Sequence, residues 1–168
     1  MGRLTVFILS CFAIITTLGG CNSSGCIENQ SSVPLAGFYS GATMKGVAVD
    51  SISIGGVGAP NDSMIVANGQ GISQVYLPFR SRDSKTSFFI HYEQEALNYD
   101  ALNDTLTFEY SSIPYFVSEE CGAMYYYRIS RLSYTRHLID SVGLVDSLIN
   151  NTDIERIRIY FRMAETEE

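Results

Sequence analysis

The sequence predicts an all-β protein, an antiparallel two-sheet sandwich of immunoglobulin-like kind, and three observations carry that expectation. Beyond residue 21, apolar and polar residues alternate at period two in several windows, and no long window shows an i, i+3, i+4, i+7 apolar stripe. About eight to nine such windows follow one another, separated by turn signals every 8–12 residues or so. The windows are uneven in length and broken by Gly, Pro and Asn clusters, which favours an open sandwich over a lipocalin-like closed barrel, the runner-up.

Taken in order, 33–39 reads as a first, weak strand. Val47 and Val49 alternate, and Ile52 and Ile54 alternate on the opposite parity, so the slip at Asp50-Ser51 implies a bulge or a break. Residues 55–62, with Gly55, Gly56, Gly58, Pro60 and Asn61, read as a turn. Residues 63–67 form a short strand, closed by Asn68-Gly69, a hairpin signal. Residues 72–79 follow, with Pro78 marking an edge. In 87–93, Phe88, Ile90 and Tyr92 share one face and Phe89 and His91 the other. The cleanest alternation is 104–110, with Leu106, Phe108 and Tyr110 inward and Thr105, Thr107 and Glu109 outward. A long Tyr-rich strand covers 122–135, another strand 139–145. The last, 156–162, turns Ile157, Ile159 and Phe161 inward.

The first twenty residues read as an address. Arg3 precedes an almost wholly apolar run, 4–18, shorter than the roughly 20 residues needed to cross a bilayer, and small residues follow it. Leu18-Gly19-Gly20-Cys21 resembles the lipobox of bacterial lipoproteins, which implies that Cys21 carries diacylglycerol and becomes the N-terminus. Domain organisation follows: 1–20 a signal peptide, 21–33 a lipidated N-terminus and polar leash, 34–163 one β-domain, and 164–168 an acidic tail. The mature chain is then 168 − 20 = 148 residues, enough for one core.

Charge excludes one class of partner. The chain has 18 acidic against 11 basic side chains, and losing Arg3 takes the net charge from −7 to −8. A nucleic-acid binder needs a basic face. Of the four Cys, Cys11 leaves with the signal and Cys21 takes the lipid. Cys26 and Cys121 remain, and in an oxidising compartment they pair most simply as a disulfide.

A further resemblance rests on ordered landmarks: the lipobox and Cys26, Leu77-Pro78-Phe79, the 104–110 strand, Glu120-Cys121-Gly122, His137-Leu138-Ile139-Asp140, and a terminal Ile157-Arg158-Ile159-Tyr160-Phe161. Together these resemble a family of small lipoproteins of Bacteroidetes-type bacteria that carries a domain of unknown function. The family offers no catalytic or binding residues to transfer. It implies an outer-membrane barrel protein as a candidate partner. Asn22-Ser23-Ser24-Gly25 lack the acidic residues that follow the lipidated Cys in surface-exported members of such families, so the periplasmic side of the outer membrane is favoured over the cell surface.

Constellations for chemistry are sparse. Only His91 and His137 are available as bases, neither in a nucleophile motif, so no catalytic residue is assigned. Two separated His do not make a zinc site. Asn98, Asp100, Asn103 and Asp104 place oxygens close together without matching an EF-hand, and no metal or cofactor is assigned. The glycines of 55–58 lack the Lys-Ser/Thr of a phosphate loop. With eleven Tyr and no Trp, Tyr125, Tyr127 and Tyr134 are a candidate ligand face for a glycan or lipid, against the plainer reading that Tyr suits half-buried strands. Six of eight Asp precede Ser or Thr. Five of these dipeptides continue with an apolar residue and resemble the acceptor of Bacteroidetes-type O-glycosylation, which makes Ser51, Ser63, Thr105, Ser141 and Ser147 candidate sites; the same pattern also ends a turn and opens a strand. The expected function is that of a non-enzymatic, membrane-anchored envelope lipoprotein acting through protein contact, with a glycan- or lipid-binding module as the alternative.

Overall fold

A computed structural model describes residues 32–118 and 122–162. Cys21, Cys26 and Cys121, and hence the lipidation and disulfide expectations, lie outside the described residues. The fold is an all-β sandwich of two antiparallel-rich sheets, one of them curled into a half-barrel. One sheet has the order β4-β1-β10-β8 and the other β3-β2-β5-β6-β7-β9.

The strands are β1 (Leu35–Ser40), β2 (Ile52–Gly56), β3 (Met64–Gly69), β4 (Gln74–Tyr76), β5 (Lys85–Tyr92), β6 (Asp104–Ser118), β7 (Gly122–Tyr134), β8 (Ile139–Leu144), β9 (Leu148–Ile149) and β10 (Glu155–Phe161). Single 3-10 turns occupy Pro60–Asp62 and Asp100–Leu102. Period-two alternation becomes burial as expected. Phe88, Ile90 and Tyr92 from β5, Leu106, Phe108 and Tyr110 from β6, and Ile157, Ile159 and Phe161 from β10 all fill the space between the sheets. Burying such side chains contributes about 1.5–3 kcal/mol each, which is what holds the two sheets face to face.

Some points of this expectation are corrected and others made specific. Asn68-Gly69 closes no hairpin: β3 pairs with β2 in one sheet, and the chain then crosses so that β4 pairs with β1 in the other. Asn68 does take a left-handed φ of 42°, but that turn serves the crossing between sheets. Val47 and Val49 lie outside any strand; only single bridges, Tyr39 with Gly46 and Val49 with Ile72, join that segment to its neighbours. The parity slip at Asp50-Ser51 is a break, with Ser51 at φ 55°. The sheets are not wholly antiparallel, because β1 and β10 run parallel, with Phe38 beside Ile159 and Tyr39 beside Tyr160. The two-residue β9 was too short to show a period, and it pairs with Tyr127 and Arg128.

Two knots fix the sheets. The Phe79 ring stacks on Tyr110 at 4.4 Å and meets Tyr127 edge-on at 5.5 Å. The Tyr110 hydroxyl donates to the Arg80 carbonyl at 2.9 Å and accepts from the Arg80 N–H at 2.9 Å, so it pins the loop before β5. The second knot is built on Asp104.

Candidate functional site

Asp104 opens β6 on the same parity as Leu106, Phe108 and Tyr110, so the strand's own alternation drives its carboxylate inward. It is fully buried. Its Oδ1 accepts from Thr135 Oγ1 at 2.6 Å and from the His137 N–H at 2.9 Å. Its Oδ2 accepts from the N–H groups of Leu138 at 2.8 Å and Ile139 at 2.9 Å, and from the Tyr92 hydroxyl at 3.0 Å. Burial by itself would raise the carboxyl pKa. The bonds from Thr135 and from the backbone of His137, Ile139 and Leu138 outweigh it and hold the group below the ordinary carboxylate value. Burial beside this carboxylate drives the Tyr92 hydroxyl well above its usual pKa. An ionised carboxylate that accepts five hydrogen bonds is satisfied, and it fastens the turn between β7 and β8 to the start of β6.

Both histidines belong to this neighbourhood. His91 Nδ1 lies 2.7 Å from Asn103 Oδ1. His137 Nδ1 lies 2.8 Å from the Asn103 carbonyl and 3.5 Å from Asp104 Oδ1. Within 98–104, Asp104 is spent on the β7–β8 turn, and Asn103 meets His91 through Oδ1 and Asp100 through Nδ2. Among the described residues no cluster of three or more His, Cys, Asp or Glu is placed to hold a metal ion.

The Asp-Ser/Thr dipeptides sort differently once folded. Asp50 Oδ1 accepts from the Gly71 N–H at 2.5 Å. Asp140 faces Arg136 at 3.6 Å and Arg162 at 3.5 Å. Asp146 Oδ1 accepts from the Leu148 N–H at 2.9 Å, an Asx turn, and its Oδ2 accepts from Arg156 at 2.9 Å. Of the candidate acceptors, Ser63 is exposed, while Ser51, Thr105, Ser141 and Ser147 are partly covered.

The Tyr-rich strand does not form one face. Tyr127 is buried, its ring wedged between Phe79 and Tyr110. Tyr134 sits opposite Leu106 at the far end of β7 and packs against the core. Tyr125 alone of the three is exposed. The physical reason is reach. The β6–β7 hairpin runs past its neighbours: pairing with β5 stops at Glu109, and β9 touches only Tyr127 and Arg128. Beyond these points the hairpin pairs with no third strand among the described residues and forms a two-stranded arm, on which Met124 is buried and the Tyr126 hydroxyl reaches Asn151 at 3.4 Å. On one face of the arm Tyr115 stacks on Tyr126 at 4.7 Å, and the register puts Phe116 and Tyr125 on the other. Tyr115, Phe116 and Tyr125 are 45%, 63% and 43% exposed.

Two cavities of about 400 Å³ each bracket the molecule. One lies at the arm end, lined by Ser32, Val33, Pro78, Phe79, Ala123, Met124, Tyr125 and Tyr127 among others. The other opens at the opposite end, between Val49, Tyr92, Leu97, Leu138 and Phe161, with Asp50, Gln94 and Arg162 beside them. The sequence held one overlooked signal for these features, which is that Tyr115 and Phe116 continue β6 beyond Pro114.

A two-sheet sandwich with a satisfied buried carboxylate at one end and an aromatic hairpin arm at the other defines the class of this β-domain. The chain belongs to a family of unknown function, DUF6452, whose model matches residues 51–161. The match runs from the start of β2 to the end of β10 and omits β1, which lies between β4 and β10 in the smaller sheet. No curated protein and no solved structure matches the chain.

Proposed function

We propose that this is a non-enzymatic lipoprotein of the bacterial outer membrane, held on its periplasmic side by acyl chains on Cys21, and that it acts by contact with a membrane neighbour such as an outer-membrane barrel protein. The observation that carries this reading is the apolar run of residues 4–18 ending in Leu18-Gly19-Gly20-Cys21. Two or more acyl chains give stable attachment, at about 0.8 kcal/mol per buried CH₂, and a tethered domain meets its neighbours at high effective concentration. The edge strand β3 supports protein contact, since Met64 and Ile65 lie exposed on it, with Val57 exposed nearby. A disulfide between Cys26 and Cys121 fits the same picture: Ser32 and Val33, six and seven residues after Cys26, line the same cavity as Ala123 and Met124, two and three residues after Cys121.

Intact mass of the protein extracted from its host's membranes tests the anchor. Acyl additions on Cys21 are expected, and a bare Cys21 rejects it. A photo-crosslinking residue at position 65 tests the contact, with one recurrent adduct to a membrane protein expected and none in native membranes counting against it.

A second reading, a glycan- or lipid-binding module, is favoured by the cavity beside Tyr125. It predicts that Tyr125→Ala weakens binding of that ligand with the fold intact; unchanged binding removes it.

A further inference from the structure

We infer that the β6–β7 arm is a membrane-interface contact that seats its aromatic tip among lipid headgroups and sets which end of the domain faces the bilayer. The inference rests on the lipoprotein reading for the place of the anchor. The described chain begins at Ser32, and Ser32 and Val33 line the same cavity as Ala123 and Tyr125. Ala123 is the register partner of Phe116. The described chain therefore enters the fold at the end of the sandwich that carries the arm. Residues 22–31 span at most about 35 Å when extended, so an anchor at Cys21 tethers the domain by this end.

The arm's composition fits that place. A β-strand with one wet face alternates apolar with polar residues. Here both faces of the tip carry exposed aromatics: Tyr115 on one, Phe116 and Tyr125 on the other. A protein groove would cover one face, whereas a headgroup layer surrounds both. Tyr belongs at that depth, with its ring among acyl carbons and its hydroxyl in water. Two strands without a third are marginal in water, and an interface supplies the missing apolar contact. Glu119 and Glu120 come next in the sequence after Ser118, and their charge makes zwitterionic lipid a better match than anionic.

The chain contains no Trp, so one introduced Trp reports a single position. Phe116→Trp and Tyr99→Trp are made separately in the full lipidated chain and reconstituted in phosphatidylcholine vesicles with brominated acyl chains. Tyr99 is exposed and precedes β6. The twelve steps from Asp104 to Phe116 span about 40 Å along β6, and Tyr99 lies before the Asp104 end of that strand. The expected result is a blue shift and loss of emission at position 116, none at 99, and a smaller loss at 116 when phosphatidylglycerol is added. Equal emission with and without bromine at 116, or quenching at 99 instead, overturns the inference. The mature chain tethered by an N-terminal hexahistidine tag to nickel-chelating lipid repeats the measurement without acylation. A bare Cys21 with quenching at 116 on the tether rejects the anchor and keeps the docking. Acylated Cys21 without quenching does the reverse.

Discussion

The backbone N–H of Ile139 donates to Asp104 Oδ2 at 2.9 Å, and this bond joins the first residue of β8 in the smaller sheet to the first residue of β6 in the larger. With the bonds from Leu138, His137, Thr135 and Tyr92, one carboxylate sets where the chain crosses between sheets.

Removing that carboxylate leaves several buried donors without an acceptor. Asp104→Ala is expected to cost about 3–5 kcal/mol, and Asp104→Asn less, because the amide keeps one oxygen but turns an N–H₂ toward donors. Urea unfolding of both variants measures it. A loss below 1 kcal/mol in Asp104→Ala contradicts the role given to the knot.

The same group predicts an acid-labile term. Its pKa is lowered in the fold, so the unfolded chain binds the proton more readily, with an ordinary value of 3.8. The stabilisation is complete above that value and is lost as pH falls through it toward the lower folded value. Thermal unfolding between pH 6 and pH 2 is expected to show a steeper drop for the wild type than for Asp104→Asn. Parallel curves contradict the assignment.

Tyr127 and Tyr125 are two residues apart and predict opposite outcomes. Tyr127→Ala empties a site between Phe79 and Tyr110 and is expected to cost about 3 kcal/mol, whereas Tyr125→Ala stays within about 0.5 kcal/mol. Denaturant midpoints of the two variants decide it.

A bond between Cys26 and Cys121 would close a loop of 121 − 26 = 95 residues, worth about 4–5 kcal/mol in the chain-entropy model. Non-reducing peptide mapping is expected to recover the two cysteines in one linked fragment, and Cys121→Ser is expected to lower Tm. Free thiols at both positions in protein from the native envelope reject the pairing.

Glycan occupancy is expected to follow exposure. Ser63 is open, while Thr105 follows a residue whose carboxylate is locked into the interior. Peptide mass mapping of native protein is expected to find Ser63 modified ahead of Thr105. Bare peptides at Ser51, Ser63, Thr105, Ser141 and Ser147 remove the idea.

The sequence by itself determined the all-β class and the inward face of nearly every long strand, because a period of two is a local property: Phe88, Ile90 and Tyr92, or Ile157, Ile159 and Phe161, must share a side whatever the strand pairs with. It also carried the apolar run and Cys21 on which the anchor reading stands. Tertiary structure decided the rest. Asn68-Gly69 is a good local turn, yet which strand follows depends on an open edge, and β4 found one beside β1. Asp104 read as a loop oxygen because its five donors come from β5 and from residues 135–139, distant in sequence. Tyr125 and Tyr127 read as equals, since nothing local says that β5 ends its pairing at Glu109 and β9 reaches only as far as Tyr127, leaving one ring in the core and the other in the open.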